Sequence, residues 1–149
     1  MIGNGERAVN FGFAEAKVYR FALYVDVTGL REALPSFGGR QLEDLQADAS
    51  FYRALIEGRF SKAFEITFMR TISAEKCQAA FADALLKRTN SESAGVVQEL
   101  IAAIPAVVEG SRILVRFGCN GEDVALIAEG GKSVSIVSED CWTAFQDIY

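Results

Sequence analysis

The last third of the chain most restricts its fold, because short apolar strands follow one another through very tight turns. Residues 112–118, 123–128 and 132–137 each read as a strand. Asn120-Gly121 separates the first two, and this dipeptide is typical of two-residue hairpins in which both central residues have a positive φ. Gly130-Gly131 separates the next two. Strands joined so closely must be antiparallel neighbours, so this region predicts an antiparallel sheet.

The first half of the sequence predicts further strands. Residues 8–13 and 15–26 are rich in β-branched and aromatic side chains, and the second run is followed by a predicted turn at Thr28-Gly29. Residues 61–70 alternate, with Phe64, Ile66 and Phe68 on one face and polar side chains on the other. This alternation is typical of a strand with one buried face.

The remaining segments predict helices. A broken helical pattern runs from 30 to 58, interrupted by Pro35 and Gly38-Gly39. Ser73 is a predicted N-cap, a second helix runs from Val96 to Ile104, and a last helix follows Ser138. The helix after Ser73 carries an apolar stripe of Cys77, Ala80, Phe81, Ala84 and Leu85. The order β-β-helices-β-α-α-β-β-β-α predicts one α+β domain over residues 1–149, an antiparallel β-sheet with a layer of α-helices on one face.

Composition excludes several classes of function. The chain has 149 residues and a net charge of −5, which argues against a nucleic-acid partner. It has no histidine, which excludes a histidine metal site or triad, and its cysteines (Cys77, Cys119 and Cys141) have no metal-ligand spacing, so we expect free thiols. No phosphate-binding loop occurs, so no cofactor is expected. No apolar run is long enough to cross a membrane and no signal peptide is present, which predicts a soluble intracellular protein.

Three segments of the chain together resemble the chalcone isomerase fold family. They are Gly5-Glu6-Arg7 with Lys17-Val18-Tyr19, the strand-to-helix junction Phe68-Met69-Arg70-Thr71-Ile72-Ser73, and Gly131-Lys132-Ser133 continuing to Trp142 and Phe145. The resemblance implies an open-faced β-sandwich, in which helices back a large antiparallel sheet and a ligand lies in a cleft between the two layers. If a transit peptide has been removed, the resemblance to plant members of the lipid-binding branch also implies a plastid location.

The resemblance implies a ligand-binding role for Arg7 and Tyr19. Arg7 stands where the isomerases have an arginine that holds a substrate oxyanion, and Tyr19 stands where they have a threonine. An arginine followed by a tyrosine is similar to the fatty-acid-binding branch, in which this pair holds the lipid carboxylate. An arginine fork suits a carboxylate, and a phenol adds a neutral donor.

Further residues complete the expected site. We expect the tail of the ligand to lie among Phe11, Phe13, Phe81, Leu85, Trp142 and Phe145. Lys76, in the first turn of its predicted helix, is expected to be solvated.

The sequence leaves three functions open. The first is non-catalytic binding of a fatty acid or another small apolar carboxylate or phenolic ligand by Arg7 and Tyr19. The second is an intramolecular lyase of the chalcone isomerase type, in which Arg7 stabilises a phenolate and Tyr19 donates to the carbonyl without a cofactor. The third is a non-catalytic regulatory or structural member that acts through a protein partner. The oligomeric state is also open.

Overall fold

Residues 3–10, 15–130 and 133–146 are described by a computed structural model. Within these residues, six strands form one antiparallel sheet in chain order. The strands are β1 (Gly3–Asn10), β2 (Glu15–Val25), β3 (Lys62–Phe68), β4 (Arg112–Phe117), β5 (Asp123–Ala128) and β6 (Ser133–Val137). The helices are α1 (Val27–Ala33), α2 (Leu42–Gln46), α3 (Ala49–Glu57), α4 (Ala74–Leu85), α5 (Ala94–Ala102) and α6 (Glu139–Gln146), with a 3-10 turn (Pro35–Phe37) between α1 and α2.

One face of the sheet carries the core. Phe64, Ile66 and Phe68 are buried on β3, as their alternation predicts, and they meet the inward residues of β4 and β5 in the same layer. The helices α4, α5 and α6 contribute the opposing buried residues. The predicted α+β fold, an antiparallel sheet with helices, is therefore confirmed.

Three local predictions were wrong at the ends of elements. Thr28 and Gly29 form the first turn of α1 rather than a separate turn, because both of their backbone N–H groups donate to the Asp26 carboxylate. Between β4 and β5 only Gly121 has a positive φ, so the connection is not a two-residue hairpin with two such residues; the Asn120 side chain instead accepts from the N–H groups of residues 122 and 123. The first strand spans Gly3–Asn10 rather than 8–13, and residues 11–13 lie outside the described part of the chain.

A β-bulge interrupts the pairing of β1 with β2. Arg7 pairs with Tyr19 and Ala8 pairs with Lys17, so Val18 is an extra residue on β2. A bulge shifts the alternation of side chains along a strand. Consecutive residues of β2 can therefore face the same side of the sheet at this point.

Between β2 and β3 the chain forms a set of short helices, residues 27–57, which we call the helical insertion. Among its residues with described side chains, only Leu55 is buried. The insertion is joined to the sheet by Lys62, the first residue of β3, whose amine donates to the carbonyl oxygens of Leu55 and Ile56 at 2.7 Å each. These carbonyls lie in the last turn of α3, where backbone acceptors have no partner within the helix.

Lys62 is 4% exposed and lies in an aromatic enclosure. Its amine is 4.8 Å from the ring centres of both Phe60 and Trp142, so two ring faces stabilise the positive charge. Burial nevertheless lowers the pKa of Lys62 from its ordinary value of 10.5 to about 8.

The lowered pKa of Lys62 predicts a rise in stability at alkaline pH. Below pH 8 the amine is charged in both states, so the cost of burying the charge is present in full. Between the folded and unfolded pKa values the unfolded chain binds more protons, so the free energy of unfolding rises with pH. From about pH 7.5 to about pH 9.5, urea denaturation should show a rise about 1–2 kcal/mol larger in the wild type than in Lys62→Met.

The exposed Lys87 provides the matched control, because its only ion pair in the described residues is a surface pair with Asp83. Lys87→Met should keep the wild-type pH dependence. Equal pH profiles for the wild type and Lys62→Met would contradict the lowered pKa.

Candidate functional site

A cleft lies between the helix-covered face of β2 and β3 and the helix α4. Its volume is about 120 Å³. The sheet and the segment after β3 supply Val18, Tyr19, Ile66, Phe68 and Ile72, and α4 supplies Lys76, Cys77, Ala80, Phe81 and Ala84. Apolar side chains form most of the wall, so the cleft suits an apolar ligand.

The cleft exists because small residues of α4 face large residues of the sheet. Cys77, Ala80 and Ala84 follow one another at spacings of three and four, which places them on one stripe of the helix. The bulge in β2 adds to the wall, since Val18 and Tyr19 both line the cleft although they are adjacent in sequence. The Tyr19 ring packs edge-on against Phe68, with ring centres 6.3 Å apart.

Tyr19 and Lys76 bring polar groups to the cleft. Tyr19 is half-buried on β2, and Lys76 is exposed in the first turn of α4 after the Ser73 cap. A cation in the first turn of a helix opposes the helix dipole. A nearby anion would therefore stabilise the ammonium group of Lys76.

Arg7 is exposed and is not among the residues that line the cleft. It is, however, the direct cross-strand partner of Tyr19, and Tyr19 in turn pairs with Phe68. Directly opposed residues of an antiparallel pair project from the same face of the sheet. Arg7, Tyr19 and Phe68 therefore form one row that runs from the β1 edge into the cleft.

The other residues expected near the ligand tail occupy different places. Phe81 lines the cleft, whereas Leu85 and Phe145 are fully buried in the core, with the Phe145 ring 6.4 Å from that of Phe81. Trp142 lines a separate pocket near the Arg59–Glu139 ion pair, together with residues of α3 and α6. Phe11 and Phe13 lie outside the described residues.

Several cleft residues were not expected from sequence. The alternation along β3 predicts that Ile66 and Phe68 face inward. It does not distinguish an inward residue that lines a cleft from one that a helix covers. Lys76 was expected to be solvated, and its long side chain both reaches solvent and lines the cleft. Val18 could not be identified because strict alternation hides a bulge.

The cysteines are free thiols in three different environments. Cys77 lines the cleft and is 3% exposed, and burial raises the pKa of its thiol. Burial, with a smaller contribution from Asp140, raises the pKa of the Cys141 thiol to about 12. Cys119 is exposed in the β4–β5 connection. The cysteines are therefore free, as expected, and two of the three are buried.

The sheet order and the helical layer define a chalcone isomerase-like fold. The crystal structure of a fatty-acid binding protein from Arabidopsis thaliana (AtFAP1) is similar, with a TM-score of 0.79. The sequences are 18% identical, and the similarity covers 99% of this chain and 77% of that one.

No protein-family model and no curated protein matches the sequence. Across the described residues, no helix is long and apolar enough to cross a membrane.

The environments of the thiols predict an order of alkylation. Iodoacetamide should modify Cys119 first, and Cys77 and Cys141 more than about tenfold more slowly, because the reactive thiolate is scarce in a buried apolar setting. Peptide mass spectrometry over time would measure each rate. Alkylation of Cys77 as fast as that of Cys119 would show that the cleft wall is more open than the structure indicates.

Proposed function

We propose that this protein binds a fatty acid or a similar lipid carboxylate without chemical conversion, with the tail in the cleft and the carboxylate near Tyr19 and Arg7. The observation that carries the proposal is the row of Arg7, Tyr19 and Phe68, which leads from an exposed cation through a phenol to an apolar wall. The fatty-acid binding protein of similar fold supports the same class of ligand.

The energetics of such a ligand fit this row. Burial of the tail contributes roughly 0.8 kcal/mol for each methylene. The carboxylate needs charged partners, because an unpaired carboxylate loses its hydration when it enters an apolar cleft. Arg7 offers a planar fork that stays charged, and the Tyr19 hydroxyl offers one further donor.

Lys76 extends the proposed head-group site to the helix side of the cleft. It lines the cleft from the first turn of α4, whereas Arg7 stands on the edge strand beside Tyr19. A carboxylate at Tyr19 would then lie between two cations of different kinds. In this arrangement Arg7 and Tyr19 orient the carboxylate, and the long side chain of Lys76 brings a second positive charge to it.

Replacement of Arg7 tests the head-group site. Arg7→Ala should weaken binding of cis-parinarate, a fluorescent fatty acid, by about 1–2 kcal/mol, or roughly 5- to 30-fold, because a charged hydrogen-bond donor is lost at a partly solvated position. Tyr19→Phe should cost about 0.5–1.5 kcal/mol, since one neutral hydrogen bond is lost. Fluorescence titration measures both affinities.

Arg20→Ala is the matched control for charge. Arg20 is an exposed arginine of β2 and lies directly opposite Glu6 in the strand register. It projects from the face of the sheet opposite to that of Arg7. Its removal should leave the affinity unchanged within about twofold. If Arg7→Ala and Arg20→Ala weakened the affinity for cis-parinarate equally, Arg7 would not belong to the head-group site.

Two adjacent alanines of α4 test the location of the tail. Ala80 lines the cleft, whereas Ala79 is exposed and is not among the lining residues. Ala80→Phe should fill the cleft and weaken cis-parinarate binding by at least about tenfold, with a thermal midpoint close to wild type because Ala80 is exposed. Ala79→Phe should bind like the wild type, and an unchanged affinity in Ala80→Phe would place the tail elsewhere.

A further inference from the structure

The helical insertion encloses a second concave surface, which is separate from the cleft. This groove has a volume of about 510 Å³, within the range of roughly 300–1,000 Å³ that is usual for small-molecule sites. It lies among α1, the 3-10 turn, α2 and α3, and its apolar lining consists of Leu30, Leu34, Pro35, Phe37, Leu45, Phe51 and Tyr52. No residue is shared with the lining of the cleft.

Aromatic rings form one wall of the groove. The ring centres of Phe37 and Phe51 are 5.3 Å apart, and those of Phe51 and Tyr52 are 5.9 Å apart. Phe37 and Phe51 are half-buried, and Tyr52 is 46% exposed. Each ring therefore keeps some apolar area open to a flat ligand, although the Arg40 guanidinium lies over the Phe37 ring.

Two arginines, Arg31 and Arg40, give the groove a positive rim. Arg40 is fixed by Asp48, with 2.7 Å between Nη1 and Oδ2, and its guanidinium lies 5.5 Å from the centre of the Phe37 ring. Hydrogen bonds from Ser50 and Arg40 lower the pKa of Asp48 to about 2, so this pair persists at neutral pH.

Arg31 provides the charge that remains available. It lies in the last turn of α1, and within the described residues no hydrogen bond or ion pair engages it. The described lining includes no acidic side chain. A ligand that enters the groove therefore meets a cation without a competing carboxylate on the wall.

We propose that this groove is a second ligand site and that it takes an aromatic carboxylate of one or two rings. The ring system packs against Phe37 and Phe51, and the carboxylate pairs with Arg31. Offset or edge-on packing between rings favours an aromatic body over an alkyl chain of the same area. The charge complementarity with Arg31 favours an anion over a neutral compound.

The test is a titration of the isotope-labelled full chain with 2-naphthoate, followed by amide chemical shifts. Saturable shifts are expected at amides of residues 30–52, and Arg31→Gln should weaken the affinity by about twofold to fivefold. Arg53→Gln is the matched control, because Arg53 is an exposed arginine of α3 that does not line the groove. It should bind 2-naphthoate like the wild type, and neutral 2-naphthamide should bind more weakly than 2-naphthoate.

Three results would overturn the proposal. Shifts confined to cleft amides, or absent from residues 30–52, would show that the groove is not a ligand site. If Arg31→Gln and Arg53→Gln weakened the affinity for 2-naphthoate equally, the net charge of the protein would explain the effect and Arg31 would have no specific role. A dimer in sedimentation equilibrium that Tyr52→Ser dissociates would assign the groove to a second copy of the chain. None of these results depends on fatty-acid binding in the cleft.

Discussion

The buried amine of Lys62 joins the helical insertion to the sheet and to the last helix. Lys62 is the first residue of β3. Its amine donates to two backbone carbonyls in the last turn of α3 and lies between the rings of Phe60 and of Trp142 in α6. One side chain therefore connects the sheet, the helical insertion and the last helix. A hydrophobic residue could fill the same volume, but it would leave the α3 carbonyls without this donor, so position and hydrogen bonding explain a buried cation better than packing does.

The position of Lys62 on β3 also places the helical insertion away from the cleft. Lys62 and Phe68 are the two ends of β3, roughly 20 Å apart at the usual rise of a strand. The cleft lies at the Phe68 end, beside Tyr19, and the insertion is tied to the Lys62 end. The cleft and the groove of the insertion therefore lie in different parts of the fold and share no lining residue.

Much of this fold is predictable from sequence, because its elements have local signals. The alternation around Ile66 and the Ser73 cap are short-range patterns, and both predicted elements are present. The site is less predictable because it depends on departures from those patterns. The bulge at Val18 interrupts the alternation of side chains along the strand. Leu85 and Phe81 share one apolar stripe of α4, but Leu85 is fully buried in the core whereas Phe81 lines the cleft. A stripe shows which face is inward, whereas the depth of packing on that face is a tertiary property.

The size of the cleft sets a further condition on any lipid ligand. Its volume of about 120 Å³ is smaller than the roughly 150 Å³ of cavities that accept benzene, so the described walls would enclose only part of a long acyl chain. The helical wall is α4, which packs on α5 and α6 and presents small side chains to the sheet. Phe81 is partly buried between the cleft and Phe145, so its ring blocks the path from the cleft toward the core. Selectivity for chain length would then depend on how far Phe81 and α4 move, and at what free energy, more than on the shape of the unliganded cleft.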